Sequence, residues 1–240
     1  MNRVSRIPRK MKTAVCISGQ CRSLNKTCDN IRRNLLDPLG DCDVFMYVSE
    51  DAYSRLASLL NPRVLKIVED QHIDEGDLVN GENCRLKTGV QPYLQQLYAL
   101  KMCNILRLSY EKQMYISYDC VIRSRPDIMF TAALPNIEDL DLDNIYLPDF
   151  HHFDGCNDRF AIGNPANMNV YFNKFDCFQE YVHDYLKTKG VALSAEMFTI
   201  LHLQKNNIPT KTLPIRFNRV RSRRITDDLK KTCRKIKLAI

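Results

Sequence analysis

The chain has 240 residues, 45% of them hydrophobic and 26% charged, and a net charge of +7 at neutral pH. That length suits one large α/β domain or two small ones, and no run approaches the ~18 apolar residues that a spanning helix needs. Ten cysteines form no Cys-x-x-Cys pair, which argues against zinc and for free thiols such as Cys16, Cys42 and Cys120 inside apolar runs.

A reducing compartment fits that usage, and residues 1–12 lack the apolar core of a signal peptide. A soluble, cytoplasmic protein is therefore expected. The positive charge is gathered at the ends. Residues 1–12 carry five basic side chains and no acid, and residues 216–237 carry ten against Asp227 and Asp228. With +5 and +8 at the ends of a chain whose total is +7, the body between them is −6. A nucleic-acid reader keeps its basic face within the fold, and the tail offers only Phe217 for base stacking. No nucleic acid is expected as partner. The tail could meet RNA, a phosphoinositide or an acidic membrane surface, but most such runs are solvated ends.

Residues 13–18 predict a short strand, followed by Gly19-Gln20-Cys21-Arg22-Ser23 and a helix near 26–36. A strand, a glycine turn and a helix start present backbone N–H groups to an anion. A single glycine matches neither the dinucleotide fingerprint nor a P-loop. Arg22 at this turn is a candidate phosphate or ribose contact. A second strand follows at 43–48, then a helix to about residue 60 and a third strand at 63–68. This pattern indicates a parallel, doubly wound half. Residues 69–90 are polar, contain three glycines and show no period, so they predict a surface insertion or a mobile loop over the site. Pro92 opens a long helix over about 93–112. Its Leu94, Leu97, Ile105 and Leu108 keep helical spacing toward a sheet, with Gln95, Gln96 and Lys101 as surface polar residues beside that face.

The helix feeds the central stretch, Tyr118-Asp119-Cys120-Val121-Ile122-Arg123-Ser124-Arg125-Pro126-Asp127-Ile128-Met129-Phe130. A strand buried on both faces is apolar until it leaves the sheet. Charges at its C-terminal end then point into the crevice where open α/β sheets bind ligands. Arg123 and Arg125 are two apart and share a face. Asp127 continues that register beyond Pro126, which ends the ladder. Two guanidiniums and a carboxylate suit a diphosphate bridged by a divalent metal, and equally a plain salt-bridge cluster.

An acidic connector at 137–143 leads to a strand at 144–147. The next segment carries two histidines and three aspartates (Asp149, His151, His152, Asp154 and Asp158) within ten residues, which could ligate a metal. Their spacing fits no zinc site, and a solvated loop with one or two working residues is the stronger expectation. A short strand at 160–162 and helices near 166–175, 177–187 and 194–205 follow, Ser194 capping the last with Glu196 in its first turn. Residues 208–215 predict an edge strand. With no repeat or linker, one domain spans 13–215, between a basic extension at 1–12 and a basic tail at 216–240.

The order of motifs resembles the nucleotide-sugar glycosyltransferases of GT-A fold. It is most similar to the compact transferases of large, chlorella-type algal DNA viruses and of bacterial surface-polysaccharide loci. The motifs are Ala14-Val15-Cys16-Ile17-Ser18-Gly19-Gln20-Cys21-Arg22, Arg123-Ser124-Arg125-Pro126-Asp127 and Asn157-Asp158-Arg159-Phe160-Ala161-Ile162-Gly163. Glu196, Arg219 and Arg221 lie downstream. The resemblance implies a single Rossmann-like α/β domain with a mostly parallel sheet, its nucleotide-binding half at about 13–130 and its acceptor half at about 131–215. It also implies a UDP- or GDP-linked sugar donor, a glycan acceptor, Mn²⁺ or Mg²⁺ at Asp127, and, for a viral chain, the host cytoplasm. Asp127 stands where such enzymes keep an Asp-x-Asp metal motif, but the first acidic position is Arg125 here.

On this reading Ser18, Gly19, Arg22, Arg123, Arg125, Arg219 and Arg221 hold the nucleotide and its diphosphate. An acceptor hydroxyl needs a carboxylate base, for which Asp158 is preferred and Glu196 stands close behind. The alternative is a non-catalytic module that binds a nucleotide or glycan and docks a partner through its basic tail.

Overall fold

The computed structural model describes residues 11–221. The basic stretches at 1–10 and 222–240 lie outside the described residues. Strand β1 (Thr13–Gln20) is buried over its first six residues. Val15 and Ile17 face one core, and Ala14 and Cys16 the other. Helix α1 (Leu24–Ile31) continues through a π-helical turn, Arg32–Leu36, into α2 (Asp37–Leu39). Strand β2 (Cys42–Ser49) follows. The expected second helix is a 3₁₀ turn, Ser54–Leu60, ahead of β3 (Val64–Val68).

Residues 69–90 are anchored, against the expectation of a surface insertion. Leu78, Cys84 and Leu86 are buried beside the start of α3 (Val90–Met114). Side-chain amides do the folding that apolar periodicity does elsewhere. Asn83 accepts from the Val79 amide at 2.9 Å, and Asn80 accepts from the Leu86 amide at 2.7 Å. Within this segment β4 (Cys84–Arg85) forms.

The central stretch makes two strands. Pro126 separates β5 (Cys120–Ser124) from β6 (Ile128–Phe130). Then come β7 (Ile145–Pro148), β8 (Ala161–Gly163), α4 (Pro165–Phe172), a 3₁₀ turn (Asn173–Cys177) and α5 (Phe178–Lys189). The chain continues through β9 (Leu193–Ser194), α6 (Ala195–Lys205), β10 (Thr210–Leu213) and β11 (Phe217–Arg219). Asn164 and Ser194 cap α4 and α6, accepting from the Asn167 and Met197 amides, as their side chains suit.

The main sheet has the order β10-β7-β8-β5-β1-β2-β3. Every pair is parallel except those of β8, which runs against both β5 and β7. One face packs on α1 and the 3₁₀ turn, the other on α3, α4 and α6. This is the expected single Rossmann-like α/β domain with a mostly parallel sheet. A small antiparallel pair, β6 with β11, sits beside it. The boundary expected at residue 215 therefore cuts into the fold: Phe217 packs edge-on against Phe130 at 5.9 Å, and Arg219 pairs with Ile128.

Candidate active site

A cleft of about 310 Å³ opens at the C-terminal ends of β1 and β2, where parallel sheets present their ligand sites. Gly19 and Gln20 enter it from the end of β1, Arg22 from the turn after it, Ser49 from the end of β2, and Asp70 from just past β3. Gly19 has φ +121°, open to glycine and costly to other residues, although it still pairs with Val48 of β2. Ser23 then donates to the Val220 carbonyl at 2.6 Å, tying the start of α1 to the segment after β11.

The middle of the cleft is held by arginine. Arg125 grips Asp127 with two parallel hydrogen bonds, Nε to Oδ1 at 2.7 Å and an Nη to Oδ2 at 2.9 Å. Its other terminal nitrogen donates to Gln96 of α3 at 2.6 Å. Arg219 approaches the same carboxylate from β11 at 3.4 Å. Burial raises a carboxyl's pKa, yet these guanidiniums hold Asp127 down at about 2. Arg219 is itself pushed down to about 10, by burial and then by the neighbouring Arg125, Arg221 and Arg159. Positive charge here exceeds its local counter-charge.

The far end carries two carboxylates. Asp158, 7% exposed, accepts from Gln96 at 3.2 Å. Its burial would raise it, but Lys174, Arg123, Arg159 and Arg125 keep it below the usual range. Glu196 lies at an N-cap-ordered helix start, and Arg159 approaches it at 3.5 Å. Burial, and then the charge of Asp158, push Glu196 up. The two neighbouring carboxylates are thus pushed in opposite directions.

The chain belongs to the family described as Domain of unknown function (DUF7796). The family model matches residues 8–227, so all the described strands and the residues lining the cleft lie within the DUF7796 unit. No curated protein matches the chain.

Most of the residues expected from sequence meet in the DUF7796 cleft: Gly19, Arg22, Arg125, Asp158, Glu196 and Arg219 line it. Ser18 is buried in β1 and Arg221 is exposed, and neither is among the lining residues. Arg123 shares its face with Arg125 but is 1% exposed, deeper in the strand beneath α4. It cannot touch a ligand directly. Its Nε and one Nη have no hydrogen-bond partner among the described residues, so it acts through its charge. Sequence reasoning missed Gln96, whose flanking polar pattern reads as surface. It also missed Lys174, which is 1% exposed and donates to Thr199 at 2.9 Å. Burial brings Lys174 down to about 8.

The five candidate metal ligands at 149–158 are drawn apart. Asp149 pairs with Arg216, Asp154 with Arg85, and Asp158 with Gln96. Among the described residues no three His, Cys, Asp or Glu side chains are grouped to hold a metal ion. At Asp127 the donor set does not fit Mn²⁺ or Mg²⁺, which need several free oxygens, because both carboxylate oxygens face guanidiniums.

The loop before Asp158 is docked tightly on α6. A Cβ on Gly155 would collide with the Glu196 carbonyl, and the Cys156 amide donates to that carbonyl at 3.2 Å. Gly155→Ala is expected to cost about 1–3 kcal/mol and to displace the start of α6. A misplacement on the ångström scale costs on the order of 10²-fold in rate. Urea unfolding together with turnover checks this; unchanged values for both would show that the contact is slack.

Proposed function

We propose that this chain is a glycosyltransferase that moves a sugar from a UDP- or GDP-linked donor to a glycan hydroxyl. The observation that carries the reading is the cleft itself: an over-charged arginine group next to two carboxylates of opposite pKa drift. The single α/β domain with a mostly parallel sheet is what the GT-A resemblance implies, and it supports the reading as a fold analogy. Gly19, Gln20, Ser49 and Asp70 offer the uncharged and acceptor groups that suit a nucleoside, with Arg22, Arg125 and Arg219 following for the diphosphate.

In the proposed reaction an acceptor oxygen attacks the anomeric carbon, and the bond from that carbon to the diphosphate breaks. The diphosphate leaves with the electron pair and is stabilised by the three arginines, the electrostatic work such a reaction needs. The acceptor proton passes to Glu196. Asp158, held ionised, orients the acceptor or donor sugar and keeps Glu196 basic. Single displacement of this kind inverts the anomeric centre.

Among the described residues no helix is long and apolar enough to cross a membrane. Cys16, Cys84, Cys103, Cys120 and Cys156 are buried free thiols, which supports a reducing compartment such as the cytoplasm. The role proposed for the basic tail, docking on an acidic surface, falls outside the described residues.

The deciding experiment is a thermal-shift and donor-hydrolysis panel of UDP- and GDP-sugars. Binding at a hundredfold excess over Kd stabilises by about 2.7 kcal/mol. Slow release of nucleoside diphosphate is expected as well. A shift without release would favour the binding-module reading, and neither would remove the nucleotide from the site.

A pH profile tests the division of labour. The acid limb of kcat/KM is expected above the ordinary glutamate range, because burial and Asp158 raise Glu196. In Asp158→Asn, loss of the neighbouring negative charge is expected to move that limb down. A limb that stays in place would take Glu196 out of the base role.

A further inference from the structure

We infer that the site holds its diphosphate without a divalent cation, Asp127 serving as the counter-ion that fixes the Arg125 fork. This rests on the diphosphate assignment above and makes it more specific. The Asp127 residue is 2% exposed, and its two oxygens accept from one planar guanidinium at 2.7 and 2.9 Å. That bidentate geometry is the strong form of the Arg–carboxylate pair. The same guanidinium is pinned on its other side by Gln96 at 2.6 Å, so fork and carboxylate form one rigid unit.

A metal on Asp127 would have to displace that fork and settle beside Arg219, 3.4 Å from the same carboxylate. It would gain a single carboxylate, whereas Mn²⁺ and Mg²⁺ seek about six oxygens. Among the described residues, the acids that line the cleft already have partners. Asp158 accepts from Gln96, Glu196 faces Arg159, and Asp70 accepts from Gln20 at 3.3 Å. The charge already in place does what a metal would do. Arg22, Arg125 and Arg219 line the cleft, and the buried Arg123 adds positive potential from below with two unpartnered nitrogens. A diphosphate entering this group completes the charge balance directly, through charge-assisted N–H to oxygen bonds.

The test is calorimetric titration of the full chain with UDP and with GDP, each in EDTA and in excess MnCl₂. The expected result is binding of at least one nucleoside diphosphate in EDTA, with Kd unchanged within about threefold by Mn²⁺. Arg219→Ala is expected to weaken that EDTA binding about 10- to 150-fold, the range for loss of a charge-assisted contact. Binding that requires Mn²⁺ in the parent protein overturns the inference alone and leaves the transferase reading standing. That comparison needs no variant to fold. Failure of both nucleotides to bind, with and without Mn²⁺, overturns the diphosphate assignment and this inference with it.

Discussion

Glu196→Gln is expected to lower turnover by about 10²–10⁴-fold, the range for loss of a general base, with nucleoside diphosphate affinity close to the parent value. The substitution keeps the side-chain shape. The Ser194 cap on α6, made to the Met197 amide, is not touched, so the helix start stays in place. What disappears is the carboxylate that burial and Asp158 push toward neutrality. Asp158, the stronger candidate on sequence grounds, has the opposite environment. Four cations keep it ionised, which suits holding a sugar and makes it a reluctant proton acceptor. Asp158→Asn is accordingly expected to raise KM more than it lowers kcat. Turnover and donor affinity of the two variants, measured side by side with the true acceptor, separate these roles. A small effect at Glu196 with a collapse of kcat at Asp158 would reverse them, and near-normal turnover in both would leave the site without a carboxylate base.

The sheet was legible because β1, β2 and β5 are buried on both faces, and such strands read as unbroken apolar runs. Direction and partner are not written in that signal. Pro126 was legible as the end of the ladder, but nothing in residues 118–130 tells that Ile128–Phe130 joins a different sheet. Its partner β11 lies in a stretch whose basic composition reads as tail. The reversed β8 is three residues long, too short for any period to show. Residues 69–90 hide their buried anchors Leu78, Cys84 and Leu86 among polar residues, because asparagine side chains, not apolar spacing, set their turns.

At the cleft, residue type and chain position found Arg22, Arg125, Asp158, Glu196 and Arg219, since charges at strand ends and helix starts are the simplest signal of a polar crevice. Depth was not legible. A two-residue period puts Arg123 and Arg125 on one face, but only the cover from α4, with Tyr171 fully buried, decides that the first is sealed and the second lines the cleft. Lys174 carried no signal at all. It falls in a 3₁₀ turn between two helices, and a lysine there reads as solvated until the fold closes over it.

Arg125→Ala is expected to destabilise the protein by roughly 3–5 kcal/mol at neutral pH, the range for breaking a buried ion pair from one side, as well as weakening diphosphate binding. The remaining partner, Arg219 at 3.4 Å, places the effect toward the lower end. The pH dependence identifies the cause. In the parent fold Asp127 stands at about 2, against about 3.9 in an unfolded chain. A lowered carboxyl stabilises above the unfolded value and loses that contribution as pH falls through the folded one. Without the fork, burial becomes the dominant influence and drives the carboxyl above its unfolded value, so Asp127 then destabilises at neutral pH and is relieved on protonation. The gap between parent and variant should thus be widest near pH 7, begin to narrow above about pH 4 as the variant's raised carboxyl protonates, and close toward about pH 2. Urea unfolding at pH 7, 5 and 3 reads this out. Arg125→Lys, with a point charge in place of a planar fork, should recover part of the stability at pH 7 and less of the diphosphate affinity. A gap that keeps the same size at every pH would mean that lost packing, not the orphaned carboxylate, accounts for the change, and Asp127 would no longer be the residue that holds the fork.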